Sequence, residues 1–128
     1  MDKAELLTRT KGFALRILKL VDDLPQTTSG RAIGNQLVRS GTSIGANYRA
    51  ACRARSRAEF AAKLGVVAEE ADETVYWLEL VRDGKLLPAA RFNELVKEAD
   101  EQTAIFTAGR RTLSKRQTSN IKPQTSLS

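Results

Sequence analysis

The chain is 128 residues long, carries 21 Lys and Arg against 15 Asp and Glu for a formal charge of +6, and contains no His and one Cys. That length fits one domain, and 41% apolar with 28% charged residues is a globular composition, which excludes wholesale disorder. Without His or a second Cys there is no internal disulfide, no common zinc site and no imidazole general base, so most nucleophilic and metal-hydrolase chemistry is excluded as well.

The first residues, Met1-Asp2-Lys3-Ala4-Glu5, mix charges and lack the apolar core of a signal peptide. No later run approaches the roughly 20 consecutive apolar residues of a membrane-spanning helix. A reducing, cytoplasmic setting without membrane attachment is expected.

The first amphipathic segment spans 3–23, with Leu6, Phe13, Ile17, Val21 and Leu24 along one stripe. Leu24-Pro25 and the polar run to Gly30 interrupt it, and Ser29 is placed to cap a second helix over 29–55. A third begins at Ser56, where Glu59 completes a Ser-x-x-Glu capping box, and runs over 56–83 with Phe60, Leu64, Val67, Ala71, Val75 and Leu78 inward. Gly84 is placed to end it and Pro88 to open a fourth, over 89–115, with Phe92, Leu95, Ala99, Phe106 and Leu113 on its stripe. Steps of three, four and seven dominate and sustained alternation is absent. Short connections between helices of this length predict an all-α, antiparallel up-down-up-down four-helix bundle occupying 1–115. Residues 116–128 are polar, include Pro123 and lack periodicity, so they read as a flexible tail.

The second helix divides into three faces at 100° per residue. Taking Arg31 as zero, Ile33, Leu37, Ile44, Tyr48 and Ala51 fall between about 200° and 260°, a core seam. Arg31, Arg39, Arg49 and Arg53 fall between about 0° and 80°, a stripe about 33 Å long at 1.5 Å per residue. Gly41 and Gly45, with Val38 and Cys52, form a smooth flank between them. Two helical glycines each cost about 1 kcal/mol relative to Ala, so the flank calls for a close neighbour. It accommodates either another helix of the same bundle or a second subunit.

Charge is segregated along the chain. Residues 24–58 hold six arginines and no acid, 59–83 hold seven acids against Lys63 and Arg82, and no acid follows Glu101 while Arg110, Arg111, Lys115, Arg116 and Lys122 do. Such basic zones are an electrostatic footprint for phosphate contact, and the scarcity of aromatic residues, 5% of the chain, argues for binding with little sequence specificity. The alternative is that the arginines form a solvated face paired with the acidic third helix. The acids Glu69, Glu70, Asp72 and Glu73 do not by themselves define a metal site, and the Glu-x-x-His motif of di-iron bundles is absent. Glu70 and Glu73 fit better as charge partners of the second helix, and Trp77 as a packing anchor. No metal, cofactor or catalytic residue is expected.

The run from Arg39 through Ser40-Gly41-Thr42-Ser43-Ile44-Gly45-Ala46-Asn47-Tyr48 to Arg49, followed by Ser56, Phe60 and Lys63 and then by residues 70–78 from Glu70 to Leu78, resembles the bacterial four-helix-bundle proteins also called the 23S rRNA intervening-sequence protein family. The resemblance extends over roughly residues 10–112. Relatives often carry Glu where Ala50 stands and Lys where Glu69 stands, so if those positions pair in relatives this chain has lost the pair from both sides. The resemblance implies a ring-like homopentamer, and a kinship with accessory bundle proteins that engage nucleic acid and a reverse transcriptase. It also implies that Asn47 and Glu73 are polar interior or interface residues that fix helix register.

Together these readings point to a non-enzymatic, oligomeric bundle that binds nucleic acid, RNA more than DNA, through Arg31, Arg39, Arg49 and Arg53 on one stripe and Arg110, Arg111, Lys115 and Arg116 on a second. Gly41, Gly45, Asn47, Tyr48, Glu70, Glu73 and Trp77 would serve structure or interface. The competing reading is a scaffold whose basic zones dock an acidic protein without nucleic acid.

Overall fold

A computed structural model describes the backbone of residues 1–127 and the side chains of residues 1–113. Among the described residues there are four α-helices and no strand: α1 (Lys3–Asp22), α2 (Thr28–Ala51), α3 (Arg57–Asp83) and α4 (Asn93–Leu127). The segment expected as a flexible tail over 116–128 instead continues α4 in its backbone as far as Leu127, its side chains falling outside the described ones.

The first three helices start where a short oxygen-bearing side chain can satisfy a free amide. The Asp2 carboxylate accepts the Glu5 N–H at 2.8 Å, and the Ser56 hydroxyl accepts the Glu59 N–H at 3.1 Å. Glu59 reaches back to the backbone N–H of Arg55 at 2.9 Å, one residue before the cap, so the box closes on the connection itself. For α2 the cap is Thr27, whose hydroxyl accepts the Gly30 N–H at 3.0 Å, and not Ser29, which lies within the first turn. The reason is a close approach: a Cβ on Gly30 would stand 2.1 Å from the Pro25 carbonyl oxygen, so the chain folds back directly over that glycine.

The fourth segment also departs from a single helix over 89–115. Pro88 opens a 3-10 turn, Ala89–Arg91, which breaks at Phe92 before α4 begins. Phe92 is 1% exposed, so the break turns its ring into the core instead of continuing the helix past it. At the end of α3, Gly84 keeps ordinary helical φ and the left-handed position passes to Lys85, φ 55°.

Phe13, Ile17, Leu37, Ile44, Val67, Leu78, Val81, Phe92 and Phe106 are fully buried and form one continuous core, each large side chain contributing about 1.5–3 kcal/mol of transfer free energy. Ile33, Val21, Phe60 and Leu113 are only half-buried at its margin.

Partners across the helices run in opposite chain directions. Gly34, Gly41 and Gly45 of α2 meet Val21, Ile17 and Thr10 of α1 in turn, and Arg91, Arg16 and Arg9 meet Asp23, Glu94 and Glu98 across the α1–α4 seam. The bundle is therefore antiparallel, with α3 packed broadly against α2 and α4, and with α1 held firmly to α2 but only thinly to α4.

Candidate nucleic-acid interface

The small-residue flank of α2 lies against α1 of the same chain. A Cβ on Gly41 would stand 3.0 Å from Ile17 side-chain carbons, and one on Gly45 3.2 Å from the Thr10 hydroxyl. Thr10 is 1% exposed and satisfies that hydroxyl on the Leu6 carbonyl at 2.8 Å. The two glycines thus let α1 approach α2 closely, which accounts for their presence in a helix interior.

The arginine stripe does not act as a unit. Arg39 leans across to α3, where its guanidinium bonds Glu70 at 3.3 Å and Glu73 directly, with its Nε on Gln36 at 3.1 Å. Glu73 also accepts the Trp77 indole N–H at 3.0 Å, and the Trp77 ring meets Tyr76 edge-on. One residue further on in both helices, the buried Thr74 hydroxyl donates to Ser40 or its own-helix Glu70 carbonyl at 3.0 and 2.8 Å. Arg39, Glu70, Glu73 and Trp77 are therefore a polar clasp between α2 and α3. Asn47 is half-buried and its amide donates to the Ser43 carbonyl of its own helix at 2.9 Å. Tyr48 is 5% exposed, its ring 5.2 Å from that of Phe106, and burial pushes its phenol up to about 12 with the Cys52 thiol as a second cause.

Arg31 is exposed, but it stands at the end of the bundle where α1 finishes and α2 begins. That end is charge-compensated: Arg91 pairs with Asp23, Arg82 with Glu79 at 3.5 Å and Asp83 at 2.9 Å, and Arg16 with Glu94 at 4.0 Å.

The opposite end differs. Antiparallel packing brings together the start of α1, the end of α2, the connection into α3 and the described C-terminal part of α4. Arg53, Arg55, Arg57, Arg110 and Arg111 are all exposed there, with Lys3 and the half-buried Lys63 beside them. Among the described residues none of these makes an ion pair, and the acids at this end are Asp2 and Glu59, both engaged in caps, and Glu5. Arg110 arches over Gly65 of α3, where a Cβ would stand 3.3 Å from its Nε. Arg49 is exposed one turn inward and lines a groove between α1 and α2. Lys115 and Arg116 lie outside the described residues.

The basic surface is thus a cationic pole and not a 33 Å stripe along one helix. Arg55, Arg57 and Lys63 were not assigned to either predicted stripe. Helical periodicity on α2 alone could not place them, because they belong to the next connection and helix. Their signal was the antiparallel topology combined with the position of each cation relative to a helix end. Among the described residues no three ligand-type side chains converge on one point, and no helix is long and apolar enough to cross a membrane.

Residues 2–108 match the family described as 23S rRNA-intervening sequence protein, and the chain belongs to that family. It is similar to the crystal structure of a protein of unknown function from the S23 ribosomal protein family of Bacteroides thetaiotaomicron, with 34% identity and a TM-score of 0.75 over 80% of this chain and 95% of that one. No curated protein matches the chain.

Proposed function

Starting from an intervening-sequence family bundle with most of its unpaired arginines gathered at one end, we propose that this protein is a non-enzymatic, cytoplasmic, homo-oligomeric nucleic-acid-binding protein that grips RNA phosphates with its cationic pole. The observation that carries the reading is the contrast between the two ends: Arg16, Arg82 and Arg91 are neutralised at one, while Arg53, Arg55, Arg57, Arg110 and Arg111 carry no carboxylate partner among the described residues at the other. Guanidinium groups on short connections and helix ends can each take a phosphate oxygen pair, and among the described residues no exposed aromatic side chain accompanies them. Binding follows phosphate spacing and RNA shape more than sequence. The pentamer implied by the family resemblance multiplies the +6 of one chain fivefold, so weak contacts at each pole add through multivalency. A reverse transcriptase is a further partner proposed by the same resemblance.

The test is the salt dependence of binding to a structured RNA hairpin. R53E/R110E is expected to lower the slope of log K against log salt by about 2, near 0.9 per lost phosphate contact on duplex. R31E, at the compensated end, is expected to leave it unchanged. Equal loss in both variants would overturn the assignment to the pole. Retention of an acidic protein from nuclease-treated extract, with no RNA bound by the purified chain, would favour the scaffold reading instead.

A further inference from the structure

Two exposed surfaces of this chain have no partner within it and are complementary to each other. The first is a groove of about 520 Å³ between α1 and α2, floored by Leu7, Ala14, Gly45 and Ala46 and flanked by the exposed cations Lys11 and Arg49. Neither cation makes an ion pair among the described residues. The groove stays open because Ala14, Gly45 and Ala46, which line it, are small where longer side chains would have closed the cleft. Its apolar line continues along α1 to Leu18, 41% exposed.

The second surface is the outward line of α3. Val66 and Tyr76 are 43% and 54% exposed, and between them stand the exposed carboxylates of Glu69 and Asp72. The inward-leaning acids of the same helix, Glu70 and Glu73, are already taken by Arg39, whereas Glu69 and Asp72 make no ion pair among the described residues. Val66 to Tyr76 spans about 15 Å of helix, and the apolar line from Leu7 to Leu18 spans about 16 Å of α1, so the two surfaces are commensurate.

We infer that the α1–α2 groove is the docking site for the outer face of α3 from a second copy of this chain, Val66 and Tyr76 covering its apolar floor while Glu69 and Asp72 meet Lys11 and Arg49. The contact joins two different surfaces, so it is heterologous: each copy still offers one groove and one α3 face, and copies add head to tail until the rotation closes a ring. This inference rests on the oligomeric part of the function proposed above and names the surfaces that form it. It also assigns Arg49 to the subunit contact, separating it from the phosphate-binding pole. Charge complementarity supplies register, because shifting the docked helix by one turn sets Val66 or Tyr76 against a cation.

The heterologous geometry makes a charge-swap experiment decisive. K11E/R49E reverses the groove and E69K/D72K reverses the α3 face; all four positions are exposed, and circular dichroism verifies that each variant keeps its helix content. Each double variant alone sets like charges together and is expected to be monomeric by light scattering at concentrations where the wild-type chain is oligomeric, with the apparent dissociation constant raised about a hundredfold or more. In a mixture each reversed groove meets a reversed α3 face and each unreversed groove an unreversed face wherever the two variants alternate, so the mass is expected to rise again as alternating open chains or even-numbered rings, an odd-numbered ring being left with one contact between like copies. Wild-type mass in either variant alone, or a mixture that stays monomeric, would overturn the assignment of these surfaces while leaving oligomerisation itself standing. A wild-type chain that is monomeric throughout would overturn both.

Discussion

Arg39 of α2 bonds both Glu70 and Glu73 of α3, and Glu73 holds the Trp77 indole as well, so the most central arginine of α2 is a structural clasp and not a free cation. Its side chain is 48% exposed, which places the pair in the solvent-screened regime. R39A is expected to cost about 0.5–1 kcal/mol in urea denaturation, the range of exposed and partly exposed pairs. RNA affinity of R39A should equal that of the wild-type chain at every salt concentration, in contrast to R53E/R110E. A loss of affinity in R39A with unchanged helix content would return Arg39 to the binding surface.

The thin α1–α4 seam depends on Arg9, whose guanidinium donates to Glu98 at 2.6 and 2.8 Å and to Glu101 at 2.6 Å, while Glu98 also accepts from the buried Gln102 amide at 2.8 Å. The Arg9 hydrogen bond, chiefly, holds the Glu98 carboxyl below its ordinary value of 4.5, against the opposing effect of burial. A carboxyl depressed in the folded state binds fewer protons there than in the unfolded chain, so folding stability from this group is present above that ordinary value and is lost as pH falls through the depressed one. E98Q should destabilise by about 1–3 kcal/mol at neutral pH, the range for hydrogen bonds to charged groups. It should also flatten the loss of stability that the wild-type chain shows as pH falls below that ordinary value. Parallel pH profiles for E98Q and the wild-type chain would show that the seam does not carry the acid sensitivity.

Glycine substitutions separate packing from propensity. Around Gly12 nothing lies within 4 Å of an added Cβ, so G12A is expected to gain about 0.5–1 kcal/mol from helix propensity alone. Gly41 faces Ile17 carbons at 3.0 Å, and G41A should lose about 1–3 kcal/mol as the α1–α2 spacing opens. Thermal midpoints moving in opposite directions for the two variants would locate the function of the small-residue flank inside the chain. A midpoint for G41A at or above the wild-type value would remove the close-packing argument.

The helices and most of the core were legible in the sequence because burial repeats at a local period. Phe13, Ile17, Leu37, Ile44, Leu78 and Phe106 each follow from the stripe of their own helix, and each is 2% exposed or less. What a single helix cannot show is where a long side chain goes once a neighbour is present. On the α2 wheel Arg39 stands only about 80° from Arg31, yet three flexible methylenes carry its guanidinium to acids 31 and 34 residues further on. The cationic pole was illegible for a related reason: Arg53, Arg57 and Arg110 belong to three helices or connections, and only antiparallel packing makes them neighbours. Among the hydroxyls of Thr27, Thr28 and Ser29, the cap was decided by the approach of Pro25 to Gly30, a contact that no capping preference encodes.

At the end of α3 the chain places its one described non-glycine residue with positive φ, Lys85 at 55°. The Leu86 N–H donates to the Val81 carbonyl at 3.0 Å and the Lys85 N–H to the Arg82 carbonyl at 3.1 Å, the paired bonds of a Schellman terminator. In that motif the left-handed residue is ordinarily glycine, because a side chain there brings Cβ against the following carbonyl at a cost of roughly 1–2 kcal/mol. The neighbouring glycine does not relieve it: Gly84 has φ −80°, and a Cβ on it would stand 2.8 Å from the Leu80 carbonyl oxygen. K85G should therefore stabilise the bundle by about 0.5–1 kcal/mol, the relief of strain being partly offset by the greater freedom glycine has in the unfolded chain. K85V should destabilise it, since a β-branched side chain tolerates the left-handed region poorly. Urea midpoints ordered K85G, wild type, K85V would establish the strain at this terminator, whereas a K85G midpoint below that of the wild-type chain would show that the Lys85 side chain contributes more than its backbone costs.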